Sequence, residues 1–86
     1  MTIVYRLVGY DKATERKHGE FAIPEERLAA VREIARILPA DDGLGDYPLD
    51  DEQARTAARV LNVTIDCARL AYYVEPYDMP AAKNRA

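Results

Sequence analysis

The chain has 86 residues, 49% of them hydrophobic and 31% charged, with fifteen acidic against twelve basic side chains and a formal net charge of -3. This composition fits one small globular domain and excludes a disordered chain, while the acidic balance argues against nucleic-acid binding, which a basic surplus drives through counterion release. Cys67 is the only cysteine, so no internal disulfide can form. The opening MTIVYRLVGY lacks the marks of a signal peptide, and no run reaches the roughly 18 apolar residues of a membrane span. The expectation is a cytoplasmic protein with no membrane contact and no cofactor.

Residues 2–10 form the strongest strand signal. Ile3, Tyr5 and Leu7 fall on one face, and Val4, Arg6 and Val8 on the other. A polar stretch comes next, and residues 18–23 alternate again, which predicts an antiparallel hairpin with a loop longer than two residues. Pro24 then suits a helix start, and Glu25 and Glu26 place negative charge at the positive end of the helix dipole. Helical spacing of Leu28, Val31, Ile34, Ala35 and Leu38 predicts a helix to about residue 38, stopped by Pro39. Its buried stripe is expected to face Ile3, Tyr5 and Leu7.

Residues 39–48, PADDGLGDYP, read as a loop without regular structure. At Asp50 a second helix begins, with Gln53 completing a capping box and Leu49 placed to pack on Ala54. Ala54, Ala57, Ala58 and Leu61 make its inner face, and Asn62 is a left-handed terminator. Asp66 can cap one short turn, and residues 70–77 form the third strand, with Pro76 at an edge or an end. The predicted fold is α+β, with strand, strand, helix, helix, strand (ββααβ) along the chain. A three-stranded mixed sheet of order 2-1-3 carries two antiparallel helices on one face, and its third strand runs parallel to the first. The domain spans 1–77, and 78–86 is a frayed tail.

No pair of residues has the spacing of a known catalytic or metal-binding mechanism. Six acids, Asp41, Asp42, Asp46, Asp50, Asp51 and Glu52, crowd the stretch before and into the second helix. Counting a calcium loop from Gly43 puts Leu38 where its first aspartate belongs, and counting from Gly45 puts Ala40 there, so no metal site is expected. This stretch instead reads as a solvated loop or an electrostatic contact for a basic partner. His18 stands without an orienting carboxylate and Cys67 without a partner histidine, and both read as ordinary residues.

Val4 and Val8 lie on the face the helices leave open, which must meet another subunit or be shielded by tyrosines. Tyr47, Tyr72 and Tyr77 belong to the same bias, since tyrosine is enriched among interface anchors. The candidate partner-binding set is therefore Val4, Val8, Asp41, Asp42, Asp46, Tyr47, Tyr72 and Tyr77, with another protein or a second copy as the partner. The alternative is a small anion held by Arg32, Arg36, Arg55 and Arg59, which lie one turn apart in pairs on the two helices. Against that stands a solvated surface, with Asp51 ready to pair Arg55.

The segments IVYRLVGYDKAT, DDGLGDYPLD, QARTAARVLNV and EPY also resemble a family of short bacterial proteins of unassigned function. The resemblance covers nearly the whole chain and implies a free-standing small domain. It carries over no functional residues.

Overall fold

The computed structural model describes residues 2–38 and 44–79. Its elements are β1 (Thr2–Asp11), β2 (Lys17–Ile23), α1 (Glu25–Ala35), β3 (Tyr47–Leu49), α2 (Asp51–Leu61) and β4 (Leu70–Met79). The class is α+β as expected, but the sheet has four strands, in the order β2-β1-β4-β3. Every neighbouring pair is antiparallel, so the expected parallel pairing of the first and last strands is overturned. The reversal comes from the connection after α2, which returns the chain to the end where that helix starts: the Cys67 thiol lies 3.9 Å from the Asp51 carbonyl oxygen, and Leu70 opens β4 opposite Asp11 at the end of β1. The added strand, β3, falls mostly in the stretch read as a featureless loop and pairs Tyr47, Pro48 and Leu49 with Val74, Tyr73 and Tyr72. A proline is tolerated there because β3 is an edge strand, with one side free of a ladder partner. Pro76 obeys the same logic: it pairs with Tyr5 on β1, while β3 reaches only as far as Val74.

The hairpin β1–β2 turns through Asp11, whose Oδ1 accepts the backbone N–H groups of Ala13 and Thr14 at 2.8 and 3.0 Å. Those two donors hold the Asp11 carboxyl below its usual range. Glu15 takes a left-handed φ of 64° before β2 begins.

Helix α1 ends earlier than its periodicity suggests. Arg36 adopts φ 62° and ψ 37°, its N–H reaches the Glu33 carbonyl, and the N–H of Ile37 reaches that of Arg32. These paired bonds close the last turn. Pro39 disfavours a helical residue 38, so the chain must leave the helix before it. The consequence is a swap: Ile37 enters the core at 6% exposure, while Leu38 stands out at 68%. Helix α2 matches expectation. Asp50 Oδ1 accepts the Gln53 N–H at 2.7 Å, Gln53 Oε1 accepts the Asp50 N–H at 2.9 Å, and Asn62 terminates the helix at φ 58°. Gln53 also donates from Nε2 to the Ile34 carbonyl at 2.8 Å, tying the two helices together.

The core is one layer. Tyr5, Leu7, Ile23, Leu70, Tyr72 and Val74 from one face of the sheet pack with Val31, Ile37, Ala54 and Ala57 from the helices. Ile3, expected in this layer, is 42% exposed near the sheet's end. Strand β4 continues through Asp78 and Met79, which pair with Ile3 and Thr2; residues 80–86 lie outside the described residues. Among those described, no helix is long and apolar enough to cross a membrane.

Candidate functional site: the open face of the sheet

Strand alternation and the two long ladders place Val4, Arg6, Val8 and Tyr10 of β1 on the face away from the helices. Their partners across β4 are Tyr77, Glu75, Tyr73 and Ala71, and across β2 Arg6 meets Ala22 and Val8 meets Glu20. The β1–β2 register slips between Gly9 and Tyr10, so that Gly9 pairs with Gly19 but Tyr10 with Lys17. His18 is the extra residue. Such a bulge re-aims the neighbouring side chains, and here it brings the Lys17 ammonium to the open face beside Glu20, three residues away, where a regular strand would send the two to opposite sides.

These groups form one net. Glu20 accepts from Arg6 at 3.0 Å through Oε2 and from Lys17 at 3.2 Å through Oε1. Lys17 also donates to the Tyr77 hydroxyl at 3.0 Å, which donates onward to Glu75 Oε1 at 3.3 Å. Tyr10 donates to Glu75 Oε2 at 2.7 Å. The Arg6 guanidinium stands 4.3 Å above the Tyr77 ring, and the Tyr10 and Tyr73 rings meet edge to face with centroids 5.5 Å apart. The charges respond as the contacts require. The Lys17 bond, with Arg6 nearby, holds the Glu20 carboxyl low, and the Tyr77 hydroxyl and Glu20 hold the Lys17 ammonium high. The hydrogen bond to Glu75 pushes the Tyr10 phenol up to about 12, because ionising it would set two anions against each other.

Under this net Val8 is fully buried although no helix covers it. Of the two expected ways to cover that face, shielding within the chain serves Val8; Val4 is half-buried. Tyr77 is on the open face as well. Tyr72 is not: it is 4% exposed on the helix side, where its hydroxyl accepts the Asp66 N–H at 3.2 Å. Tyr47 is half-buried against the core, and its hydroxyl accepts the Gly45 N–H at 3.3 Å. Asp41 and Asp42 lie outside the described residues. Asp46 lines a recess of about 590 Å³ at one end of the open face, with Tyr10, Asp11, Lys12, Glu15, Ala71, Tyr73 and Glu75.

The helix arginines are spread over several contacts. Arg32 donates to the Leu38 carbonyl at 3.3 Å, Arg36 lines a recess with Glu33, Asp50 and Glu52, Arg55 faces Asp51 at 4.0 Å, and Arg59 donates to Thr56 at 3.3 Å. His18 is exposed, and Cys67 is half-buried with its carbonyl accepting from Lys12 at 2.8 Å. Arg6, Tyr10, Lys17, Glu20, Tyr73 and Glu75 were missed as site residues. Alternation marks Arg6 and Tyr10 as sharing Val8's face, but Lys17 depends on a bulge and Glu75 on the direction of β4.

A family model described as a domain of unknown function (DUF7683) matches residues 4–75, and the chain belongs to that family. The matched segment runs from within β1 to within β4 and so takes in the hairpin, both helices and most of the open face. The chain matches no curated protein and no solved structure.

Proposed function

We propose that the protein is a non-enzymatic interaction module whose contact surface is the open face of the sheet, presented to another protein or to a second copy of this chain. One observation carries this reading: Tyr10, Tyr73, Tyr77 and Arg6, residue types favoured as interface anchors, are half-buried on one face and already held by one another. Side chains fixed before binding lose less conformational freedom when a partner arrives. A single free cysteine supports a cytoplasmic setting, since the chain has no internal disulfide to lose there.

The test is capture from a lysate of the native host with the full chain and with two face variants, Arg6→Ala and Tyr77→Ala, each checked for an unchanged far-ultraviolet circular dichroism spectrum. Light scattering of the same three proteins covers the second copy. The expected result is a captured protein, or a dimer mass, that both variants lose. Capture and mass indifferent to both substitutions would refute this use of the face.

A further inference from the structure

The two edges of the sheet are finished differently. β3 is three residues long with a central proline, which blunts its edge against further pairing. β2 is seven residues long without a proline, residues 17–20 and 22 are exposed, and no described strand pairs with its outer side. The bulge at His18 disturbs only its start, so residues 19–23 keep a regular register on β1 and leave a row of N–H and C=O groups directed outward.

A second observation lies beside this edge. Gly19 pairs with Gly9, on the face that Leu7, Phe21 and Ile23 turn to the helices. The space a side chain at Gly9 would take is filled by the Tyr72 ring, but a Cβ at Gly19 would meet nothing within 4 Å. That gap belongs to a recess of about 340 Å³, mostly apolar, lined among others by Gly19, Phe21, Ile65, Leu70 and Tyr72. A strand laid antiparallel along β2 would set the residue opposite Gly19 on the same face, over the recess.

We propose that β2 pairs antiparallel with β2 of a second copy of this chain, centred on Glu20 opposite Glu20, so that two sheets join into one of eight strands and each Phe21 ring fills the recess over the other copy's Gly19. The neighbouring registers fail. Centring on Gly19 sets the two glycines against each other and leaves both gaps, while centring on Phe21 sets Gly19 against Ile23, whose side chain is in its own core at 7% exposure. Centring on Glu20 instead offers Gly19 a half-buried ring, and an aromatic ring opposite an edge glycine covers its bare backbone. Charge fits the same arrangement. Arg16 and Lys17 begin the strand and Glu25 and Glu26 follow its end, so antiparallel copies bring the basic end of each to the acidic end of the other. Among the described residues Arg16, Glu25 and Glu26 have no ion-pair partner. The two Glu20 carboxylates would oppose the pairing if bare, but each already holds Arg6 at 3.0 Å and Lys17 at 3.2 Å. The joint lies at the sheet's edge, leaves both open faces uncovered, and needs none of the contacts proposed for them.

Light scattering of the full chain across concentration reads this joint, with Gly19→Leu and Tyr77→Ala measured beside the parent. Leucine at Gly19 enters open space on ordinary strand backbone, so this variant should melt no lower than the parent while occupying the recess that Phe21 of the second copy needs. The expected result is a mass that rises toward two chains from about 10 µM to about 1 mM for the parent and for Tyr77→Ala, and stays at one chain for Gly19→Leu. Hydrogen exchange at alternate amides of residues 19–23 should slow over the same range in the parent and not in Gly19→Leu. A parent that stays monomeric throughout, a dimer kept by Gly19→Leu, or slowing confined to other strands would overturn the proposal. A dimer lost by Tyr77→Ala and kept by Gly19→Leu assigns self-association to the open face instead.

Discussion

Replacing Gly9 by alanine tests the packing between β1 and β4 at its tightest point. A Cβ at Gly9 would stand 2.8 Å from Tyr72 Cε1, 3.2 Å from Tyr72 Cζ and 3.3 Å from Leu70 Cδ1, where carbon atoms in good contact sit about 3.5 to 4.0 Å apart. The ring has little room to retreat, being 4% exposed with its hydroxyl bonded to the Asp66 N–H. Overpacking of this kind costs about 1 to 3 kcal/mol, while removing glycine's freedom in a strand returns about 0.5 to 1 kcal/mol. Gly9→Ala should therefore destabilise by about 1 to 2 kcal/mol, read in urea as a lower midpoint at unchanged m. Tyr72→Leu in the same chain should reduce the penalty of Gly9→Ala by removing the opposing ring atoms. A loss under about 0.5 kcal/mol, or costs that simply add in the double variant, would refute the clash.

Val8→Lys should cost about 3 kcal/mol or more, since it drives an ammonium into a site with no exposure, beneath carboxylates already bonded to other partners; thermal melting checks this, and a variant as stable as the parent would show that the net above Val8 is easily opened. Val4→Lys, at a half-buried position, is accordingly the cleaner probe of self-association. Glu75→Gln should bring the Tyr10 phenol down from about 12 toward its ordinary 10.0, visible in the ultraviolet titration of the tyrosines. Because the folded value is raised, the stability from this bond is complete below the unfolded pKa of Tyr10 and lost as pH rises toward about 12. Identical titration curves for parent and variant would remove Glu75 as the cause.

Local signals were legible where one residue type decides the structure. Asp50 and Gln53 read as a capping box, Asn62 as a left-handed stop, and both took those roles in α2. Signals were misleading where tertiary packing decides. Tyr47–Leu49 has no alternation to reveal it, being three residues long with a central proline, and it becomes a strand because β4 offers a ladder. Leu38 matched the helical period as well as Val31 does, yet the left-handed turn at Arg36 gave its place to Ile37. The open face was half legible for the same reason. Alternation within β1 set Val4 and Val8 apart from Tyr5 and Leu7, but their neighbours on that face are set by the register of β4 and the bulge in β2, and neither is written in a local pattern.

That difference decides how the face should be understood. A pair of valines on bare sheet would call for an apolar partner, since each represents about 1.5 to 3 kcal/mol of burial. The structure covers Val8 with long polar side chains instead, and the exposed ion pairs among them are individually worth about 0 to 1 kcal/mol. The weight of the net is therefore in its stems and rings, which lie over Val8 while their charged ends stay in water. A partner meeting this face finds little unburied hydrocarbon to gain from, and must match a fixed arrangement of rings and charges. Such a surface favours selectivity over strength, because a mismatched partner leaves a charge unpaired where a matched one completes it.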